Sequence, residues 1–349
     1  AYYLPQFHPI AENDEWWGKG FTEWTNVGKT KPLFRGHYQP RVPTELGYYD
    51  LRLPEVRKAQ AQLAKEAGIE GFMYWHYWFG NGKRILEMPY NEVVKSGEPD
   101  FPFCLGWANH SWKSDSWQAK STVSTPKMLI EQLYPGVADY EAHFYALLPG
   151  FQDKRYIKVN NRPVFLVYSP LDIPDCKLFL KTWNDLAQKN GLEGFHFVGM
   201  SKGWSSEVEK ILALGFDAVN RNGQWEAECA VKGKYSRIIK NKLREKIGSA
   251  LLDKYDYSKV VSLMLNDADR NQNVYPTILS NWDRSARSGR QAVIYTDSDP
   301  DRFEKHLKNA LELVKDKDSE NKIVFLKSWN EWGEGNYVEP DLKFGKAYL

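Results

Sequence analysis

The sequence has few of the features that mark disulfide-stapled, membrane-spanning or nucleic-acid-binding proteins. Its 349 residues include three cysteines, Cys104, Cys176 and Cys229, and an odd count at wide spacing is neither a disulfide framework nor a zinc site. No stretch approaches the ~20 consecutive apolar residues of a membrane span. The 47 Lys and Arg residues nearly balance the 45 Asp and Glu residues, so no global charge favours a nucleic acid or a membrane surface.

The cellular location is weakly indicated. The few cysteines fit a reducing compartment, and no signal-peptide pattern is present, so the cytoplasm is slightly favoured. The periplasm and the cell surface stay open, because a signal could have been removed from a chain that begins in the apolar run Ala1-Tyr2-Tyr3-Leu4.

Aromatic residues are abundant, with 14 Trp, 20 Tyr and 17 Phe. They could simply fill the core. Yet several tryptophans lie beside Asn, Glu, His or Gly, as in Trp75-His76-Tyr77-Trp78, Trp107-Ala108-Asn109-His110 and Asn330-Glu331-Trp332. A sugar ring requires flat apolar faces next to hydrogen-bonding groups, so the pattern favours carbohydrate binding over core packing.

Short apolar runs alternate with amphipathic stretches along the whole chain, which predicts a parallel sheet covered by helices. Predicted strands cover 1–4, 69–75, 102–107, 164–168, 195–200, 216–219, either 260–265 or 274–279, and 323–328. Predicted helices cover 54–67, 176–190, 206–214 and 301–316. About eight strands favour a closed (β/α)8 TIM barrel, and we predict that residues 1–349 form one such catalytic domain.

Two long segments interrupt the alternation, 5–53 and 221–258. The first is rich in aromatics, and the second contains the basic stretch Lys232 to Lys246. If they follow strands one and six, both are long loops at the C-terminal face of the barrel, where such barrels keep their active sites.

The strongest local signal is Ser328-Trp329-Asn330-Glu331-Trp332-Gly333-Glu334-Gly335 at the end of the last predicted strand. Residues i and i+3 on one strand face opposite ways, so the two glutamates converge only if the chain leaves the strand between them, which the glycines permit. Close carboxyl groups shift each other's pKa values, and one protonated and one charged carboxyl is what acid-assisted glycoside cleavage needs.

These residues resemble two related families. Glu331-Trp332-Gly333-Glu334-Gly335, followed by Glu339-Pro340, is similar to the Glu-Trp-x-Glu-Gly…Glu-Pro signature of glycoside hydrolase family 99, the endo-α-mannosidases and endo-mannanases. The N-terminal run Tyr3-Leu4-Pro5-Gln6-Phe7-His8-Pro9, with Glu23-Trp24, resembles the WbsX-type family, often labelled glycosyltransferase or lipopolysaccharide (O-antigen) biosynthesis protein. The likeness runs from Tyr2 to Pro340.

The resemblance implies a (β/α)8 barrel, no metal and no cofactor. It also implies that Glu331 assists the 2-hydroxyl of the sugar in attacking C1, through a 1,2-anhydro intermediate with net retention, and that Glu334 is the general acid and then the general base. We therefore expect Glu334 to carry the raised pKa. One departure is His110, which stands where the WbsX-type family usually has Glu in Trp-Ala-Asn-Glu-Asn-Trp; it predicts a different sugar preference or an altered activity.

Three functions follow from these signals. The first is a retaining endo-acting glycoside hydrolase acting on an α-mannose-containing or related bacterial glycan; the others are a glycosyltransferase of surface-polysaccharide synthesis and a non-catalytic sugar-binding barrel. The expected partner is an oligosaccharide or polysaccharide, with no nucleic acid. We expect His8 and Glu23 to lie near Glu331, and Trp24, Trp107 and Trp332 to line one cleft. The predicted substrate-binding residues are Gln6, His8, Glu23, Trp24, Trp75, His76, Tyr77, Trp107, Asn109, His110, Trp282, Asp283, Asn330 and Trp332.

Overall fold

The fold was obtained as a computed structural model that describes residues 1–114, 126–233 and 252–349. Eight parallel strands follow each other in space in the order in which they occur in the chain. They are β1 (Tyr2–Tyr3), β2 (Phe72–Trp78), β3 (Phe103–Trp107), β4 (Arg162–Val167), β5 (His196–Ser201), β6 (Ala218–Arg221), β7 (Val274–Ile278) and β8 (Phe325–Leu326). The predicted (β/α)8 TIM barrel is therefore confirmed.

The chain just after β8 closes the barrel against the first strand. The Trp329 amide donates to the Tyr2 carbonyl over 2.8 Å. The Asn330 side chain forms two further hydrogen bonds, both to the backbone of Leu4. Its Oδ1 accepts from the Leu4 amide (2.7 Å), and its Nδ2 donates to the Leu4 carbonyl (3.1 Å). The first and last strands are thus neighbours, as the sequence predicts.

Helices cover the outside of the barrel and fill the long connections. They are α1 (Ala11–Trp17), α2 (Glu23–Gly28), α3 (Pro54–Glu66), α4 (Met88–Ser96), α5 (Val137–Phe151), α6 (Cys176–Lys189), α7 (Ser206–Ala213), α8 (Gln224–Lys232), α9 (Tyr257–Met264), α10 (Ser285–Ser288) and α11 (Pro300–Val314). Short strands outside the barrel pair as Trp112–Lys113 with Met128–Ile130, Asp253–Asp256 with Val293–Thr296, and Asn330–Glu331 with Asn336–Tyr337.

Most predicted elements agree with these bounds, and the ambiguous seventh strand is resolved. Residues 274–278 form β7, whereas residues 260–264 belong to α9, whose Val260 and Met264 are buried. Segment 5–53 is a long connection after β1, as expected, but it contains α1 and α2. The basic stretch from Lys232 to Lys246 lies mostly outside the described residues.

The core is built from aromatic and aliphatic side chains of the strands and of the helices that pack on them. Cys104, Cys176 and Cys229 are buried. Among the described residues, no helix is both long enough and apolar enough to cross a membrane.

Candidate active site

The two motif glutamates sit on a tight hairpin at the C-terminal end of the barrel. Glu331 ends the short strand Asn330–Glu331, which pairs with Asn336–Tyr337. Between them, Trp332–Glu334 forms a 3-10 turn, and Gly335 takes the left-handed conformation at φ 61°. The turn breaks the strand between the glutamates, as the sequence predicts, and both side chains line the same cleft.

A single guanidinium holds the acidic cluster together. Arg287, on α10, lies 2.6 Å from Glu331 Oε1, 2.8 Å from Glu334 Oε1 and 2.8 Å from Glu23 Oε2. Arg284, one helical turn earlier, lies 3.1 Å from Glu334 Oε1. Arg287 and Glu23 are buried; because a buried charge is costly without partners, this arrangement fixes the positions of both motif carboxyls.

The two glutamates differ in their electrostatic surroundings. Burial raises the pKa of Glu331 to about 7; Arg287 opposes this shift, and the charges of Glu334 and Glu23 add to it. Burial acts on Glu334 in the same direction, but Arg287, Arg284 and Lys327 together outweigh it and hold the pKa of Glu334 below its ordinary value. The expectation that Glu334 carries the raised pKa is wrong, since three cations surround Glu334.

Gly333 is required by close packing at this cluster. A Cβ atom there would lie 1.8 Å from Glu23 Oε1 and 2.9 Å from Arg287 Nε. We expect Gly333→Ala to displace Glu23 and Arg287, costing ~1–3 kcal/mol of unfolding free energy and most of the activity. Urea unfolding and a glycan-cleavage assay measure the two effects.

A matched control for Gly333→Ala is Gly28→Ala at the end of α2. Gly28 has nothing within 4 Å of a built Cβ, so stability and activity should both be kept. If the two variants behaved alike, close packing at Gly333 would not matter.

The cleft beside the glutamates has a volume of about 520 Å³ and a mixed aromatic and charged wall. Its aromatic lining consists of Tyr2, Trp75, Tyr77, Trp112, Tyr168, Trp225 and Trp282. Its charged lining consists of Lys202, Glu228, Arg284, Arg287, Lys327, Glu331 and Glu334. Ring faces next to charged hydrogen-bonding groups match the chemistry of a sugar.

Six of the residues predicted from the sequence line this cleft: Trp75, Tyr77, His110, Trp282, Glu331 and Glu334. His110 is exposed there, with its ring 5.1 Å from that of Tyr168. Glu23 supports the wall from behind through Arg287, so it lies near Glu331 as expected. The structure gives no contact between His8 and Glu331; His8 is buried.

The expectation that Trp24, Trp107 and Trp332 line one cleft is wrong. Trp332 is 1% exposed, stacks on Tyr337 and donates to Glu339 Oε2 over 2.6 Å. Trp24 packs on Phe7 and Trp332 beneath the cleft. These rings pack around the hairpin that carries Glu331 and Glu334 instead of presenting a free face.

Trp107 and His76 face away from the cleft because strand side chains alternate. Trp75 and Tyr77 point inward on β2, so His76 between them points to the helices, where its Nε2 lies 2.8 Å from Nε2 of His143. Trp107 is the register partner of His76 on β3 and packs on Phe179 of α6.

The remaining predicted residues are buried and lie outside the cleft lining. Asn330 joins the barrel ends, and Asn109 fixes the chain after β4 through the Ser169 amide, which donates to its Oδ1 over 2.7 Å. Asp283 is paired with His37 and Gln39. The side-chain amide of Gln6 is buried and has no hydrogen-bond partner among the residues that the structure describes. Each was predicted as a substrate contact, and the motifs carried too little information on which way each side chain points.

Sequence reasoning missed the cationic half of the site. Arg284 at the N-cap of α10 and Arg287 within it are three residues apart. Lys327 directly follows β8, with its Nζ 4.3 Å from the Trp282 ring. Glu228, on α8, adds an acidic group that accepts from the Tyr295 hydroxyl over 2.7 Å. The available signal was the Arg-x-x-Arg spacing directly after Trp282-Asp283.

Comparisons with known proteins find relatives over the whole chain. The chain is 35% identical over 351 residues to the uncharacterized protein WxcX of Xanthomonas campestris pv. campestris, in strains B100 and ATCC 33913. The match covers 100% of this chain and 48% of the relative, so the chain spans about half the length of the curated relatives it matches.

Solved structures share the fold at low sequence identity. A GH99 endo-α-mannosidase from Bacteroides thetaiotaomicron superposes with a TM-score of 0.58 at 13% identity, covering 100% of this chain and 89% of that one. A chain described as a glycoside hydrolase-like protein gives a TM-score of 0.60 at 15% identity, covering 88% and 87%. The sequence profile of the family described as "Glycosyltransferase WbsX" matches residues 1–349. The chain therefore belongs to the WbsX glycosyltransferase family, a family of carbohydrate-active enzymes built on a GH99-like TIM barrel.

Proposed function

We propose that the chain is a retaining, endo-acting glycoside hydrolase that cleaves an α-mannose-containing or related bacterial glycan, with Glu331 and Glu334 as its catalytic pair. One observation carries the proposal. Two carboxyls lie on one wall of an aromatic cleft, bridged by Arg287, with pKa values shifted in opposite directions. Near neutral pH, such a pair offers one proton donor and one base.

Both glutamates act in each of the two steps of the reaction. In the first step, the base takes the proton of the sugar 2-hydroxyl, whose oxygen attacks C1, while the acid protonates the departing glycosidic oxygen. In the second step, the former acid takes a proton from water, whose oxygen attacks C1 and opens the 1,2-anhydro sugar, while the former base returns its proton to O2. The proton lost to the departing hydroxyl is thus replaced from water. Two inversions at C1 give net retention.

The family resemblance and the electrostatics assign the roles within the pair differently. The family resemblance makes Glu331 the base and Glu334 the acid. The surrounding charges favour the opposite distribution of the proton, since Glu334 faces Arg287, Arg284 and Lys327. Either division gives one donor and one base, so the pair supports the same reaction class.

A glycan panel tests the proposed function. The chain is incubated with α-mannans and bacterial O-antigen glycans, and products are followed by chromatography and by the anomeric proton signals in NMR. We expect internal cleavage to oligosaccharides whose new reducing end first appears with retained configuration. Inverted products would contradict the mechanism, and intact glycans that nevertheless bind would favour a non-catalytic sugar-binding barrel.

A glycosyltransferase is the second candidate, and the cations of the cleft favour it. Arg284, Lys202 and Lys327 all line the wall beside the glutamates and could hold the phosphate groups of an activated sugar donor. Parallel incubations with nucleotide sugars separate the two activities. Glycan extension that requires the donor would establish transfer, whereas cleavage without it would establish hydrolysis.

The pH dependence of the site follows from the raised pKa of Glu331. A raised pKa means that the protonated form persists in the folded protein up to about pH 7 and is lost above it. If the reaction uses this proton, kcat/KM should fall as pH rises through about 7. NMR titration of 13C-labelled glutamates should show a matching carboxyl transition.

Glu339 provides the control for that titration. Burial raises the pKa of Glu339 to about 7 as well, but it contacts Trp332, Tyr49 and Gln60 behind the hairpin. We therefore expect two carboxyls to titrate near neutral pH. Glu331→Gln should remove the one that matches the activity profile, and Glu339→Gln the other.

A further inference from the structure

A second cavity of about 460 Å³ lies beside the cleft, behind the chain segment 281–284. Trp282 and Arg284 line the cleft, whereas Asn281 and Asp283 line the second cavity. This alternation places the two cavities on opposite sides of one extended segment, which bridges to Ile294. We call the second cavity the basic pocket; its side-chain lining includes Phe34, Arg35, Tyr38, Arg41, Lys254, Lys343 and Phe344.

The cations at the mouth of the basic pocket lie on rings and not on carboxylates. Lys254 Nζ is 4.5 Å from the centroid of Phe34, and Lys343 Nζ is 4.5 Å from that of Phe344. Within the described parts of the chain, neither lysine forms an ion pair, and neither does Arg35. Ring contacts order an ammonium group without neutralising it, so the positive charge remains available.

Arg41 adds a buried cation that is loosely held. Arg41 is only 7% exposed. Its Nη1 nevertheless lies 3.5 Å from the Tyr337 hydroxyl, and its Nη2 lies 3.6 Å from Asp283 Oδ2. Its Nε has no hydrogen-bond partner among the described residues. Buried guanidinium groups are normally held by short, charge-assisted hydrogen bonds, so Arg41 has capacity for another anion.

The acidic groups of the basic pocket do not cancel these charges. Among the described residues, four cations, Arg35, Arg41, Lys254 and Lys343, line it against two carboxylates, Asp283 and Asp297. Asp283 already accepts from Gln39 over 2.8 Å and lies 2.9 Å from His37 Nε2. The basic pocket therefore combines an excess of positive charge with aromatic faces.

We infer that the basic pocket binds an acidic sugar residue, carrying a carboxylate or a phosphate, at a site separate from the catalytic cleft. Aromatic faces suit a sugar ring, and the cations suit its anionic substituent. No described residue lines both cavities. The two cavities are nevertheless linked through the backbone. The amide of Asp283, which lines the basic pocket, donates over 2.6 Å to the carbonyl of Glu334, which lines the cleft.

Calorimetric titration of the chain carrying Glu331→Gln, which should slow any turnover, measures binding alone and so tests this inference separately from the proposed hydrolase activity. The probes are a glucuronic acid oligosaccharide, the matching neutral glucose oligosaccharide and mannose 6-phosphate. We expect saturable binding of at least one acidic probe, at least tenfold tighter than the neutral one and weakened by salt. The acidic probe that binds identifies the substituent.

Variants at the mouth of the pocket locate the binding site. Lys254 and Lys343 are exposed, so the double variant Lys254→Glu/Lys343→Glu should fold normally and weaken acidic-probe binding at least tenfold. Lys65→Glu, on the exposed face of α3, and Lys202→Glu, in the cleft, should leave it unchanged. Absence of binding, equal binding of the neutral probe, or loss of binding only in Lys202→Glu would overturn the inference.

Discussion

Replacing either motif glutamate should remove most of the activity. Glu331→Gln and Glu334→Gln keep the shape of each side chain but delete its proton transfer, which typically contributes ~10²–10⁴-fold in rate. We expect losses of this size in kcat/KM on the natural glycan. Glu15→Gln, on the exposed face of α1, should change nothing. Full activity in both motif variants would remove the pair from the mechanism.

An activated substrate divides the roles within the pair. An aryl glycoside or glycosyl fluoride leaves without protonation, so loss of the general acid should be tolerated, whereas loss of the base should not. Sparing in Glu331→Gln would make Glu331 the general acid, in line with its raised pKa. Sparing in Glu334→Gln would make Glu334 the general acid, the role that the family resemblance implies.

Arg287→Ala should have the largest effect on stability. Removing the guanidinium leaves the buried carboxyl of Glu23, together with Glu331 and Glu334, without its shared cation. Breaking a buried ion pair in this way typically costs ~3–5 kcal/mol. The deficit should be smaller at pH 5 than at pH 8, since protonation of the carboxyls removes the uncompensated charge. Urea unfolding at both pH values measures it.

Arg52→Ala provides the comparison for Arg287→Ala. Arg52 also binds a carboxylate, Asp50, at 2.6 Å, but its side chain is 57% exposed, and exposed pairs contribute only ~0–1 kcal/mol. A similar cost for the two variants would mean that the acidic cluster does not depend on Arg287. Arg287→Lys should recover part of the stability, but one ammonium group cannot contact three carboxyls with the geometry of a guanidinium.

The barrel could be predicted from the sequence because its strands are covered on both faces and therefore appear as nearly continuous apolar runs. The runs at 102–107 and 195–200 are nearly continuously apolar, and they form β3 and β5 within one residue of the prediction. The run at 260–265 was ambiguous for the same reason: a short apolar run reads as a strand or as a buried helix face. Packing against α8 resolves it as α9.

The motif glutamates could be predicted from the sequence, but the neighbours that shift their pKa values could not. A Glu-Trp-Gly-Glu pattern can be recognised from adjacent residues, whereas the contact between Arg287 and Glu23 joins residues 264 positions apart in the sequence. The error at Trp107 had a different origin. The alternation of β2 places Trp75 and Tyr77 inward and His76 outward, and the β2–β3 register carries Trp107 outward with His76. Composition alone identified the aromatic residues, but the register decides which of them face the cleft.

The Asn330 side chain, which hydrogen-bonds the backbone of Leu4, links the chemistry to the order of folding. The hairpin that carries Glu331 and Glu334 rests on a junction between segments 326 positions apart. Contacts at such separation form late because loop closure is costly. During refolding, activity should therefore return only in the final phase, after most of the helical signal. Disrupting the contacts of the first few residues should abolish activity while most of the strands and helices stay intact.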